Sequence, residues 1–269
     1  MSEFILELYS EEIPPNLQIN ARNDLETKIK SSLIEENLKF GSLKAFSSPT
    51  RLVIILKDFS EKIKIPSKEI RGPKVGVMED VINNFLKAHN SSRNDLMEKQ
   101  NNKGKFYFIK KISKEVLTSE VLKKIVVNSI ASITWKKSMR WSDTDLLWGR
   151  PLRSILAVYN KKILNFSYGH LKASDYTIIE KDLDTKVIKV NTIKDYQKLL
   201  LNNNIFLNHE EREQKIIKKF ESFYKVKNFK NHYDVKLLKE VTNIVEDPQV
   251  LLIDFDKKYL ELPKEIIIS

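Results

Sequence analysis

The 269 residues contain no cysteine, which excludes disulfides and every thiolate metal site. Glycine is scarce: there are six, none in P-loop or dinucleotide-turn spacing, so no glycine-rich phosphate cradle exists. The four histidines, His89, His170, His209 and His232, are scattered without metal-ligand spacing. They read as ordinary surface or core residues, and no metal site is expected. Neither a nucleophile elbow nor a zinc-binding HExxH pair occurs, so no residue is picked out as catalytic. Long apolar runs are missing too. Runs such as residues 52–56 and 250–253 are strand-sized and too short to span a bilayer. Carboxylates come early, at Glu3, Glu7, Glu11 and Glu12, unlike a secretory or transit leader. A cytoplasmic protein with no membrane contact is expected.

What is present in excess is positive charge: 47 basic against 36 acidic residues, a net +11. Such a surplus favours polyanionic partners through counterion release and steering, although a Lys- and Asn-rich genome produces the same bias. All three tryptophans fall between Trp135 and Trp148, and Lys136, Lys137, Arg140, Arg150 and Arg153 lie among or just after them. Cations that hold a phosphate backbone beside rings that stack on bases suit a nucleic-acid surface. Tryptophan is also a large core filler, so the same block suits the closing of a domain.

Along the chain, alternation predicts a strand over 3–9, and Leu17, Ala21, Leu25, Ile29 and Leu33 mark a helix stripe that Gly41 closes. Residues 43–47 and 51–59 read as a hairpin, 66–73 as a loop and 77–89 as a helix with Val81, Phe85 and Leu86 inward. Residues 90–103 read as polar and exposed, 105–112 as a strand and 116–133 as a helix. A hairpin of 154–159 with 163–168 follows, then strands over 176–179 and 186–190. Helices are expected over 193–201, 210–224 and 235–245, and a buried strand over 250–255. The class is α/β (α+β mixed), with two packed domains of mixed sheets and amphipathic helices: an N-terminal α/β domain over 1–150 and a second over 151–269. The ending PKEIIIS closes no element, as expected of a chain cut from a longer one.

Three local features invite chemistry. Glu11 and Glu12 precede a double proline; they form either an acid/base or magnesium pair, or charge placed near a helix N-terminus. Arg71-Gly72-Pro73 and Arg150-Pro151 each set an arginine beside rigid backbone, as phosphate contacts or as ties to loop carbonyls. The helix opening at Glu210-Glu211-Arg212 carries Lys215, Lys218 and Lys219, a face that suits either a nucleic-acid backbone or plain solvent.

In order, these segments resemble a known family, the beta subunit of bacterial tetrameric glycyl-tRNA synthetase. The acidic double-proline motif is Ser10-Glu11-Glu12-Ile13-Pro14-Pro15, and the proline-x-arginine-leucine turn is Pro49-Thr50-Arg51-Leu52. Then come Arg71-Gly72-Pro73, Met139-Arg140-Trp141, Arg150-Pro151 and Glu210-Glu211-Arg212. Last is an LLxEVxxxVExPxV pattern over 237–250 containing Glu246 and Pro248, followed by Phe255, Tyr259-Leu260 and Pro263. The order and spacing together carry the resemblance, and it covers the whole chain. One element departs: the family's glycine-histidine-arginine-phenylalanine motif is missing from 177–190, and Gly169-His170 comes too early for it.

The resemblance implies a part of a ligase that joins glycine to tRNA through a glycyl-adenylate, in a heterotetramer of two alpha and two beta chains. It places ATP and Mg on the alpha subunit, with no cofactor and no catalytic residue in this chain. The partners it implies are the alpha subunit and tRNA(Gly), and the family continues well past this chain's last residue. Arg71, Lys136, Lys137, Arg140, Arg150 and Arg153 are the expected tRNA phosphate contacts. The alternatives are an assembly platform for alpha without a tRNA role, and an editing-type hydrolase.

Overall fold

A computed structural model describes residues 2–65, 67–101, 104–111, 113–141, 146–181, 184–227 and 234–268. His232, Pro66 and Ile112, and residues 102–103 at the end of the polar stretch expected over 90–103, lie outside them. The chain opens with β1 (Glu3–Ser10), α1 (Pro15–Glu35), β2 (Phe40–Ser48) and β3 (Arg51–Phe59). Pro15 stands in the first turn of α1, where a backbone N–H would lack a partner. The helix is ended by Asn37 in the left-handed region, φ 57°, and Gly41 lies instead within β2.

Next, β4 (Lys62–Ile65) pairs with β8 (Lys114–Leu117) and brackets a small module. Its elements are β5 (Lys68–Lys74), α2 (Glu79–Ala88), β6 (Leu96–Asn101) and β7 (Gly104–Lys111), with β7 central in a three-stranded antiparallel sheet. The expected loop over 66–73 is thus a strand from Lys68 onward. Its register slips between Arg71 and Lys74, an irregularity that accommodates Pro73, which has no N–H to donate. In α2 the inward residues are Ile82 and Leu86, with Phe85 beside them; Val81 is exposed, because the buried stripe is centred on the i, i+4 pair Ile82 and Leu86 and Val81 falls outside it.

The remainder runs α3 (Thr118–Ala131), β9 (Met139–Arg140), β10 (Leu147–Trp148), β11 (Leu152–Tyr159), β12 (Lys162–Ile163), β13 (Ser167–Tyr168) and β14 (Leu171–Ser174). Then come β15 (Tyr176–Lys181), β16 (Asp184–Lys189), α4 (Ile193–Asn202), α5 (His209–Lys227), α6 (Val235–Ile244) and the short α7 (Lys264–Ile268). The main sheet has the order β13-β14-β11-β1-β3-β2, with β12 added beside β11; only β11 and β14 run parallel. It therefore joins strands from before and after residue 150, and the class is α/β as read. The expected 163–168 strand is split: Lys162–Ile163 pairs back onto β11, while Ser167–Tyr168 pairs with β14.

Both faces of this sheet are covered, which is why β1 is buried at every residue from Phe4 to Ser10. Phe4, Leu6 and Leu8 point to a large core shared with α1 and α3, while Ile5, Val53, Ile55, Leu156 and Val158 meet α4 and β15. Residues 250–255 are not a buried strand. They form no ladder, and Leu251, Ile253 and Phe255 are 77%, 78% and 65% exposed. A strand needs a partner for its backbone, and among the described residues no strand pairs with this segment.

Candidate functional site

The second face of the main sheet changes from apolar to charged at one end. Ile5 is followed two residues on by Glu7 and Tyr9, and Tyr9 stands opposite Arg51 across the ladder. Arg51 is fully buried, and every arm of its guanidinium is used. Nε donates to Glu7 Oε2 at 3.2 Å, Nη1 to Glu246 Oε1 and Thr50 Oγ1 at 2.8 Å each, and Nη2 to the Ile178 carbonyl at 2.5 Å. Glu7, also fully buried, accepts from Thr177 Oγ1 at 2.6 Å and from the Tyr196 hydroxyl at 2.5 Å. Burial alone would lower the Arg51 pKa, but the Glu7 and Glu246 carboxylates raise it. Burial, followed by Glu7, pushes the Tyr196 hydroxyl far up, so it stays a donor. Arg51 and Glu246, both motif residues, are thus ties between segments 195 residues apart.

Above this network lies an open, polar mouth of about 490 Å³ lined by Ser10, Glu11, Glu12, Thr50, Arg150, Arg153 and Glu180. Three motif segments meet there through backbone bonds. Ser10 N donates to Thr50 O at 2.9 Å, Glu11 N to Pro151 O at 3.0 Å, and Ile13 N to Pro49 O at 2.7 Å. Arg153 pairs with Glu180 at 2.7 Å and lies 5.5 Å from the centre of the Tyr9 ring. The Tyr9 hydroxyl is raised, first by burial and then by its hydrogen bond to Glu180. The arrangement offers cations that can exchange a carboxylate partner for a phosphate, while Glu11 and Glu12 repel anions from one side.

The structure brings Arg150 and Arg153 together at this mouth. Lys136, Lys137 and Arg140 are exposed on the stretch from α3 into β9, and Arg71 lies on the separate sheet of the bracketed module. The tryptophans do not form an open stacking platform. Trp148 is 0% exposed; its ring lies 4.9 Å from Trp135 and 6.3 Å from Tyr168, and Trp135 and Trp141 pack against the large core. A Cβ at Gly149 would come within 2.5 Å of Trp135, so the residue before Arg150 has no room for a side chain. Sequence reasoning missed Tyr9, Thr177, Glu180 and Tyr196. A carboxylate inside the otherwise apolar run 4–9 was the one available signal, pointing to Glu7 and a buried partner.

Arg212 is no part of an exposed basic face. Fully buried, it donates from Nε to Thr242 O at 2.8 Å, from Nη1 to Phe206 O and Leu207 O at 2.5 and 3.0 Å, and from Nη2 to Ser47 O at 3.0 Å. Burial, offset by Glu246, brings its pKa to about 10, still charged at neutral pH. Lys215 is paired with Asp247. At the start of α5, burial and the charges of Arg22 and Arg212 push His209 from 6.5 down to about 4.

This sets a pH dependence. His209 is neutral in both folded and unfolded chains above pH 6.5; between 6.5 and 4 only the unfolded chain takes up the proton, so stability falls as the pH falls. His209→Gln should remove about 2 kcal/mol of the acid loss between pH 7 and 4 after allowance for partial exposure. Thermal melts of the two proteins across that range test it, and parallel curves would exclude this histidine as a source of acid lability.

Comparison with known proteins gives consistent matches. A family model described as glycyl-tRNA synthetase beta subunit matches residues 4–269. A glycine–tRNA ligase beta subunit from Rickettsia prowazekii (strain Madrid E) is 37% identical over 269 residues, covering 100% of this chain and 40% of the relative. That from Rickettsia akari (strain Hartford) is 36% identical over 270 residues with the same coverage. The chain therefore spans about 40% of the length of these curated relatives.

Proposed function

The chain belongs to the glycyl-tRNA synthetase beta-subunit family, and on that premise we propose that it is a noncatalytic, tRNA-facing and subunit-contacting part of a cytoplasmic glycine–tRNA ligase. ATP, magnesium and the glycyl-adenylate chemistry fall to the alpha subunit in this reading. This chain supplies a scaffold on which basic side chains meet the phosphates of tRNA(Gly). The observation that carries the reading is the mouth where the motif segments at 10–15, 49–52 and 150–151 converge, with Arg150 and Arg153 at its rim. Arg140 and Arg150 to Gln, introduced together into the alpha–beta enzyme, should weaken tRNA binding about tenfold and lower the salt slope by about 1 per arginine. Unchanged affinity and slope would sink the assignment.

A second reading, an assembly platform for the alpha subunit, is favoured by one feature. Leu251, Ile253, Phe255, Tyr259, Leu260 and Ile266 are all exposed on one short stretch, an apolar density typical of buried interfaces. Capture by alpha that survives high salt in a pull-down, beside weak and indiscriminate tRNA binding, would favour this reading over the first.

A further inference from the structure

The module bracketed by β4 and β8 has its own small core and one face that nothing in that core uses. Ile82, Leu86 and Ile109 form the core, with Phe85, Leu96 and Tyr107 packed against it, so α2 covers the side of β7 that carries Tyr107 and Ile109. Strand alternation puts Phe106 and Phe108 on the opposite side, together with their cross-strand neighbours Arg71, Met97 and Lys99. Neither phenyl ring belongs to any of the three apolar cores among the described residues, and both are only half-buried. The Arg71 guanidinium lies 3.8 Å from the centre of the Phe106 ring, and Lys99 Nζ lies 5.8 Å from that of Phe108. Lys110 shares this face, and the carboxylate of Glu69 is bonded to Lys99 at 2.5 Å. Gly72 fixes the layout, since a Cβ there would strike Phe85 at 2.5 Å; the strand can thus press against α2 while Arg71 stacks on the far side. Residues 68–111 contain ten basic and five acidic side chains, nearly half of the chain's +11 surplus in a sixth of its length.

We propose that this open sheet face is a platform for unpaired RNA: bases stack on Phe106, Phe108 and the Arg71 plane, and Lys99 and Lys110 meet the phosphates. The charge selects a polyanion, and the rings select one with exposed base faces. Geometry selects the single strand. Residues i and i+2 of a strand are about 7 Å apart, whereas stacked bases of a duplex strand are about 3.4 Å apart, so two rings here fit bases that have been splayed.

This inference rests on the proposed function only in choosing RNA, and its test needs neither tRNA nor the alpha subunit. The full 269-residue chain is titrated into a labelled, unstructured oligouridylate of roughly 10 nucleotides, read by fluorescence anisotropy across a salt series. Phe106→Leu with Phe108→Leu keeps the apolar volume and should raise Kd about tenfold or more while leaving the salt slope unchanged. Lys99→Gln with Lys110→Gln should flatten the slope by about 0.7 per lysine. Should the leucine pair unfold the module by circular dichroism, Arg71→Gln, an exposed side chain, serves instead and should raise Kd several-fold. Unchanged binding in the folded leucine pair, or in Arg71→Gln, overturns the platform, as does a duplex RNA that competes as well as the single strand. The Arg140 and Arg150 variants of the tRNA test lie outside 68–111, so either proposal can fail alone.

Discussion

Arg51→Met should cost about 3–5 kcal/mol of folding stability. Methionine approximates the aliphatic volume, so the loss comes from what is left behind. Glu7 is fully buried and would keep only Thr177 and Tyr196 as donors, while Glu246 would lose its 2.8 Å guanidinium partner. A buried carboxylate deprived of its countercharge cannot be hydrated, and it must either take up a proton or open the structure. For a domain whose whole stability is about 5–15 kcal/mol, that is a large share. Urea unfolding followed by tryptophan fluorescence reads the change directly, since Trp148 sits in the adjoining core. The companion variant separates a buried pair from mere packing: Glu7→Gln in the Arg51→Met background should recover part of the loss, a coupling of about 1–3 kcal/mol. Additive losses, or a cost for Arg51→Met below about 1 kcal/mol, would mean that the network is a solvated surface cluster in all but appearance.

The same network shows where reading the sequence stops. The strands over 3–9 and 51–59, the stripe from Leu17 to Leu33 and the helices after residue 193 were legible because each repeats a local period that burial enforces. The partner of β1 was not: Ser154 and Leu156 stand opposite Tyr9 and Glu7 from about 150 positions away, and no local pattern encodes that pairing. Residues 250–255 mark the converse failure. Their apolar, β-branched composition signals burial, yet a strand is a relation between two segments, and here one of them is absent from the described residues. For the site, the mouth's arginines were legible as charge beside proline. Their neighbour Glu180 was not, because its significance lies in Tyr9 and Arg153, which only the fold brings near. Charge alone also misassigned Arg212: sequence assigns a guanidinium to a helix, but whether it faces water or four carbonyls depends on how that helix docks.

Arg212→Met should cost about 3–4 kcal/mol, from four backbone carbonyls losing a charged donor in a buried setting. Those carbonyls belong to Ser47 at the end of β2, Phe206 and Leu207 before α5, and Thr242 within α6. One side chain therefore clamps the two late helices onto the edge strand of the main sheet. The loss should be local before it is global: amide exchange should accelerate across α5 and α6 while β1, β3 and β11 stay protected. Arg212→Lys distinguishes charge from geometry. An ammonium keeps the charge but has three donors on one atom, and it cannot span carbonyls set around a planar fork. It should recover less than half of the stability lost by methionine. Full recovery by lysine would show that a point charge suffices at this place. The methionine variant should also lower the position of Glu246, because Phe206 N donates to its carbonyl at 3.0 Å, and Glu246 is a partner of Arg51. The two arginines are thus linked through one residue, Glu246, and the double variant Arg51→Met/Arg212→Met should cost measurably less than the sum of the single losses.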